Sequence, residues 1–258
     1  MVRDTEPLEK VAMAGAVYNI TDIEKFRRGL ELIKESLFDK GQSLFVMDNI
    51  ITWNRNYSFA RIPFFKNILD SDENSNAEKS IIWRTYVLTY FANFALSREG
   101  DFVELGCLTG YSALQIIKKT ELHNQNKDFY LFDLFEWNEG DKHQKLTGHD
   151  DPDMYKKIKK RFEKYPFVKV VKGMVPDSFK GTLPDKICFC HIDMNNAEPE
   201  MASLSVVLPR LQSGGVVLLD DYGWWGYSAQ KIGLDPIAES HGLEILELPT
   251  GQGLILKP

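Results

Sequence analysis

The stretch DFVELGCLTGYSALQIIKKTEL (residues 101–122) decides the fold class. Its first five residues, DFVEL, predict a buried strand, whereas residues 112–122 show helical periodicity. Between the two, Gly106 and Gly110 allow the backbone to turn tightly and to approach a ligand. The stretch therefore predicts a buried strand that passes through a glycine-containing loop into a helix.

The same alternation continues towards the end of the chain. Further strands are predicted over 128–135, 168–173, 186–194 and 214–222, and further helices over 151–165, 198–211 and 228–239. Strands that alternate with helices indicate a parallel sheet covered on both faces. Residues 243–258 predict a closing hairpin. We therefore expect an α/β protein with a Rossmann-like, doubly wound, mostly parallel sheet, a C-terminal antiparallel hairpin and an N-terminal helical extension.

The N-terminal part of the chain lies outside this alternation. We expect residues 1–76 to form a helical segment and residues 77–258 to form the main domain. Within the segment, WNRNYSFARIPFF (53–65) combines aromatic rings with guanidinium groups, which suit stacking on sugar rings and hydrogen bonding to hydroxyl groups. The segment is therefore a candidate lid over an acceptor. The alternative is that its aromatic residues pack in a core or in a subunit interface.

Composition limits the classes of function. A formal net charge of −6 argues against a general nucleic-acid binder, and 43% hydrophobic residues suffice for a substantial core. The three cysteines do not form a disulfide framework, and the first residues lack the apolar region of a signal peptide. We therefore expect a cytoplasmic protein that acts on a small-molecule or saccharide substrate, without a nucleic-acid or membrane partner. A homo-oligomer is left open.

The loop after the first strand of the alternation is a candidate cofactor site. It lacks the G-x-G-x-x-G pattern of dinucleotide-binding folds and instead carries an acid, Glu104, which suits a ligand with an amino or sulfonium group. Asp133 ends the second strand, where acids accept hydrogen bonds from ribose hydroxyl groups. The candidate contacts of the cofactor are Glu104, Gly106, Gly110, Ser112, Asp133, Gly173 and Met174.

Acidic residues follow two later strands. The run GGVVLLDDY (214–222) ends in Asp220 and Asp221, and Asp193 ends the preceding strand. Because the carboxyl ends of neighbouring parallel strands meet at one edge of a sheet, these three carboxylates can converge. Ligation by oxygen atoms suits a hard cation such as Mg²⁺.

These motifs resemble a known family. FVELGCLTGYSA (102–113) resembles the S-adenosylmethionine motif of class I methyltransferases, and residues 191–226 are similar to the macrocin and mycinamicin O-methyltransferases, whose members methylate sugar hydroxyl groups on macrolides. The resemblance covers roughly residues 77–258. It implies S-adenosylmethionine as methyl donor and a magnesium ion on Asp193, Asp220 and Asp221. The family usually carries an acidic, aromatic run where this chain has MNNAEPE (194–200), so the acceptor can differ.

Histidines supply the candidates for a general base. His143 and His149 lie in a polar loop after the second strand, and an imidazole there can accept the proton of a hydroxyl group. Asp193 is the third catalytic candidate. His191 lies two residues before Asp193, on the same side of the strand, and is either a hydrogen-bond partner of the metal site or a core histidine.

We therefore predict a metal-dependent, S-adenosylmethionine-dependent O-methyltransferase that acts on a sugar hydroxyl of a glycosylated natural product or polysaccharide. Two alternatives remain open. One is a methyltransferase acting on nitrogen or on a catechol-like ring. The other is a cofactor-binding protein without catalytic activity.

Overall fold

A computed structural model describes residues 13–37, 44–139, 145 and 149–258. Its contacts divide the chain into a first unit, Met1–Tyr86, and a second unit, Val87–Pro258. The sequence predicts this boundary ten residues earlier, after residue 76, whereas the contacts set it inside a helix.

The first unit contains a small three-stranded sheet that sequence analysis did not expect. Strand β2 (Leu44–Met47) pairs in parallel with β1 (Met13–Ala14) and antiparallel with β3 (Ile50–Trp53). The turn between β2 and β3 consists of Asp48 and Asn49, whose φ angles are 53° and 57°. Two positive φ angles in succession are typical of a tight hairpin. The sequence signal of this hairpin is thus the polar pair Asp48–Asn49 between two short apolar runs.

Helices make up much of the rest of the first unit. They are α1 (Ile23–Ser36), α2 (Pro63–Asp70), α3 (Asn76–Ser80) and α4 (Ile82–Ala95), the last of which continues into the second unit. A capping box formed by Ser75 and Glu78 opens α3.

Aromatic residues form the core of the first unit. Tyr57, Phe59 and Phe65, which sequence analysis considered as part of a lid, are buried. The Phe59 ring stacks on Tyr86 with its centroid 4.6 Å away. Further edge-to-face and tilted ring contacts join Phe45, Tyr57, Phe59, Phe65, Trp83 and Tyr86. These rings therefore stabilise the unit itself, and the lid function stays a prediction for exposed side chains such as Arg55 and Arg61.

The second unit is built on a seven-stranded sheet in the order β6-β5-β4-β7-β8-β10-β9. The five strands from β6 to β8 are parallel, and β10 is antiparallel to both of its neighbours, as expected from the sequence. The strands are β4 (Asp101–Leu105), β5 (Phe129–Asp133), β6 (Val168–Lys172), β7 (Ile187–Ile192), β8 (Leu211–Leu219), β9 (Leu246–Glu247) and β10 (Gly253–Leu256).

Helices cover the sheet, and apolar residues form two cores. The helices are α5 (Tyr111–Thr120), α6 (Met154–Phe162), α7 (Ala197–Val207) and α8 (Ser228–Ser240). Successive residues of a strand point to opposite faces, so Phe102 packs in one core and Val103 in the other. Within the described ranges, every helix is too short or too polar to span a lipid bilayer.

Candidate functional site

The strand order reverses between β4 and β7, and open α/β sheets bind ligands at the carboxyl ends of the strands beside such a reversal. Their backbones meet closely there, because the Asp193 N–H donates to the Leu105 carbonyl over 2.8 Å. A Cβ atom on Gly106 would lie 1.9 Å from the Asp193 carbonyl oxygen, and the φ angle of Gly106 is +85°. Position 106 therefore accepts only glycine, and it ties the loop after β4 to the loop after β7.

Asp133 and Gly110 fix the loop after β4. The two carboxylate oxygens of Asp133 accept the backbone N–H groups of Leu108 and Phe135, each over 2.7 Å. Gly110 opens α5 with a φ angle of +74°, and a Cβ atom there would lie 2.5 Å from the Phe162 ring. Packing against α6 thus accounts for Gly110 whether or not a ligand is bound. The loop is held in place before a ligand arrives.

Glu104 lies beneath this loop. Its side chain is only 1% exposed, and its Oε1 atom is 2.9 Å from Nδ1 of His191, the residue that pairs with it across β4 and β7. The sequence predicts that Glu104 contacts a positively charged ligand; in the structure its Oε1 atom pairs with His191, and its Oε2 atom has no hydrogen-bond partner among the described residues. Burial raises the pKa of Glu104, and the hydrogen bond with His191 opposes this effect.

The remaining candidates lie on elements around the same edge of the sheet. Gly173, with a φ angle of +148°, donates its N–H to the Asp133 carbonyl over 3.0 Å, and the next residue, Met174, is exposed. Ser112 is the second residue of α5. His149 lies half-buried in a turn before α6, whereas His143 lies outside the described residues.

The acidic residues form a compact group together with a histidine. One ligand atom from each of His191, Asp193 and Asp220 lies within 4.8 Å of those of the other two. Gln252 Nε2 donates to Asp220 Oδ1 over 3.0 Å, and Asn195 Nδ2 donates to Asp193 Oδ1 over 3.3 Å. Asp221 is buried beside the group but is not part of it. The structure therefore brings together two of the three predicted metal ligands and adds His191.

Residues 103–222 match the family model of a methyltransferase domain. These residues all lie within the second unit. The match begins in β4 and ends just after β8, so it includes both the glycine-containing loop and the acidic group. Comparison with curated proteins gave no match.

Solved structures of methyltransferases share the fold of this domain. The O-methyltransferase NovP superposes with a TM-score of 0.57 at 16% identity, over 71% of this chain and 83% of NovP. CalS11, a calicheamicin methyltransferase, gives a TM-score of 0.57 at 13% identity, over 77% of this chain and 91% of CalS11. In its apo form, described as a TDP-rhamnose 3'-O-methyltransferase, CalS11 gives 0.53 at 14% identity, over 77% and 93% of the two chains. At such identities the likeness establishes the fold.

The electrostatics of the second unit favour a positive charge at the acidic group. Burial alone lowers the pKa of His191, but Asp220 and Glu104 outweigh burial and raise this pKa to about 10. Burial raises the pKa of Glu200 to about 8, and the nearby charges of Asp193 and Asp220 add to the increase. Carboxyl groups that are crowded in this way are stabilised by a cation. The donor set, two carboxylates and one imidazole, therefore fits a divalent metal ion.

Proposed function

We propose that this protein is an O-methyltransferase that depends on S-adenosylmethionine and on a divalent cation, and that it acts on a sugar hydroxyl group of a glycosylated natural product or polysaccharide. One observation carries the proposal. His191, Asp193 and Asp220 converge at the edge of the sheet where the glycine-containing loop also ends. A cofactor bound at the loop and a hydroxyl group bound at the acidic group would therefore be neighbours.

The cofactor would be held by the loop after β4 and by the residues around it. S-Adenosylmethionine, when bound, supplies an electrophilic methyl group on its sulfonium. Gly106 and Gly110 allow the tight turn of this loop, and Ser112 lies in the first turn of α5, where the helix N-terminus offers N–H groups. Asp133 already accepts two backbone N–H groups, and its remaining lone pairs can accept ribose hydroxyl groups. Gly173 and Met174 complete the proposed contacts.

Glu104 has a second function in this proposal. It is buried against His191, so it orients a residue of the acidic group. Its Oε2 atom has no hydrogen-bond partner among the described residues, and Glu104 stays a proposed contact of the cofactor. This arrangement makes Glu104 a link between the two halves of the site.

The acidic group would hold the cation and the acceptor. A divalent cation, when bound, lowers the pKa of a coordinated hydroxyl group, which otherwise is a poor nucleophile at neutral pH. Asp193 and Asp220 are held for this task by Asn195 and Gln252. Asp221 directly follows Asp220 and stays a proposed ligand. His149 and His143 stay the proposed bases that take up the hydroxyl proton.

The sugar acceptor is supported by two neighbours in fold. NovP is described as an O-methyltransferase, and CalS11 as a TDP-rhamnose 3'-O-methyltransferase. An assay with methyl-labelled S-adenosylmethionine and a panel of nucleotide sugars, glycosides and catechols tests the proposal. We expect transfer to a sugar hydroxyl, loss of transfer in EDTA and recovery with a divalent cation. Transfer to catechols alone, or full activity in EDTA, would overturn it.

A further inference from the structure

We infer that His191 is itself a metal ligand beside Asp193 and Asp220, so that the site contains an imidazole and selects a transition-metal ion, such as Mn²⁺ or Co²⁺, over Mg²⁺. The inference rests on the proposed function in one respect, namely that a divalent cation binds at Asp193 and Asp220. It differs from the sequence-based prediction, in which all three ligands are aspartates and the ion is magnesium.

The first support is the orientation of the imidazole. His191 Nδ1 lies 2.9 Å from Glu104 Oε1, and both side chains are 1% exposed. Because the two residues are direct partners in neighbouring strands, the sheet itself fixes the ring. A histidine that binds a metal through one ring nitrogen usually donates the other N–H to a carboxylate, which sets the tautomer and strengthens the ligand. Glu104 is placed to do this.

The second support is the other ring nitrogen. His191 Nε2 is buried and has no hydrogen-bond partner in the part of the chain that the structure describes. It lies 3.6 Å from Asp220 Oδ1, which is beyond hydrogen-bonding distance but close enough for electrostatic attraction. A buried polar atom without a partner carries a free-energy penalty. A metal ion at Nε2 would remove this penalty, and it would take the place of a second ring proton.

The third support is the spacing of the donor atoms. The ligand atoms of His191, Asp193 and Asp220 lie within 4.8 Å of one another. Ligand atoms that share one ion at bond lengths of about 2.1 Å are separated by about 3–4 Å, so small side-chain adjustments suffice. Asn195 and Gln252 already hold the two carboxylates by hydrogen bonds.

A core histidine without a metal explains these observations less well. Burying the carboxylate of Glu104 is costly, and a hydrogen bond to a histidine of purely structural function could be made by a neutral amide. A ligand function accounts for the buried carboxylate, the fixed ring and the unpaired Nε2 atom together. It also sets the ion, because imidazole suits transition metals, whereas Mg²⁺ prefers oxygen ligands and retains water.

Pulsed electron paramagnetic resonance on the full-length protein loaded with Mn²⁺ tests the inference without any activity assay. We expect the nitrogen modulation of a directly coordinated imidazole in the wild type and its loss in His191→Gln. Calorimetry should show Co²⁺ binding at least about tenfold tighter than Mg²⁺, and His191→Gln should remove most of this preference. His241→Gln, a change at an exposed histidine after α8, is the control and should leave spectrum and affinities unchanged.

The possible results separate the two proposals. If Mn²⁺ binds and the wild-type spectrum shows no imidazole nitrogen, His191 is not a ligand, and the cation dependence of the proposed function still stands. If no divalent cation binds the wild type at millimolar concentration, both proposals fail. Should His191→Gln not fold, the wild-type spectrum decides alone. Glu104→Gln, which keeps a hydrogen-bonding oxygen, should then retain the nitrogen signal with weaker binding of Co²⁺.

Discussion

His191 and Glu104 face each other across the two central strands of the sheet, with Nδ1 and Oε1 separated by 2.9 Å. Glu104 precedes the glycine-containing loop by one residue, and His191 precedes Asp193 by two. The pair therefore connects the proposed cofactor loop with the proposed metal group inside the protein. Its removal should affect both stability and metal binding.

Replacing Glu104 by leucine should destabilise the protein strongly. The change leaves a buried imidazole, whose pKa the two carboxylates raise to about 10, with only one charged partner. Breaking one side of a buried charge pair costs about 3–5 kcal/mol. Urea denaturation measures the loss. The double variant Glu104→Leu/His191→Leu should recover part of it, and a loss below about 1 kcal/mol in the single variant would contradict the ion pair.

Gly106→Ala should abolish binding of S-adenosylhomocysteine and lower the melting temperature. The added Cβ would lie 1.9 Å from the Asp193 carbonyl oxygen at a φ angle of +85°, so the strands must separate or the loop must move. Gly226→Ala is the matched control, because a Cβ there has open space around it. Calorimetry and thermal unfolding give the readout. Normal binding by Gly106→Ala would show that a Cβ atom fits between position 106 and the Asp193 carbonyl oxygen.

The stability of the protein should depend on the protonation of Glu200. Burial raises its pKa to about 8 from 4.5, so between these values the folded state keeps a proton that the unfolded state releases. The contribution of this group to the free energy of unfolding is therefore present below pH 4.5 and lost as the pH rises towards 8.

Glu200→Gln should remove this part of the pH dependence. The amide oxygen of the variant can still accept the Met194 N–H, which in the wild type lies 3.2 Å from Glu200 Oε1. Denaturation curves between pH 5 and pH 8 should show a flatter profile for the variant than for the wild type. Parallel profiles would mean that Glu200 is ionised in the folded state throughout this range.

Asp220→Asn should lower the rate of methyl transfer more than Asp221→Asn. Asp220 belongs to the group of converging ligand atoms and Asp221 does not. Loss of a Lewis acid is worth several kcal/mol of transition-state stabilisation, hence a decrease of about 10²–10³-fold in kcat for Asp220→Asn. The affinity for S-adenosylhomocysteine serves as control and should change little. Equal losses of rate in the two variants would indicate that Asp221 binds the cation as Asp220 does.

Phe59→Ala should destabilise the first unit. The ring is buried and stacks on Tyr86 at 4.6 Å, and truncating a buried phenylalanine costs about 3–5 kcal/mol. Trp53→Ala is the comparison, because that ring is 49% exposed and should cost much less. The fluorescence of Trp83, which contacts the Phe59 ring, follows unfolding. Similar losses in both variants would speak against an aromatic core.

Periodicity sufficed to predict the elements of the second unit. Strands such as Asp101–Leu105 and Ile187–Ile192 are short, mostly apolar segments, and the helices between the strands keep helical spacing. Strand order then placed Asp193 and Asp220 at the ends of neighbouring strands. The hairpin Leu44–Trp53 was missed because its strands have only four residues each, too few for alternation to be recognised.

The partner of Glu104 could not be derived from the sequence. A register shift of one residue would place its side chain against a different neighbour, and the pattern of apolar residues does not fix register between two fully buried strands. For the same reason, His191 could be assigned only to a face of its strand. The contact of Gly110 with Phe162 depends on how α6 packs, which periodicity does not specify either.

The close contact between Gly106 and the Asp193 backbone also restricts how this unit can be recombined with related chains. A chimera that imports the turn after β4 with any side chain at position 106 would collide with the native backbone at Asp193, even if both parents fold well. Segments 101–110 and 187–193 should therefore be exchanged together. The loop after β8 offers a junction that does not include this contact. In directed evolution by recombination, both segments should come from the same parent.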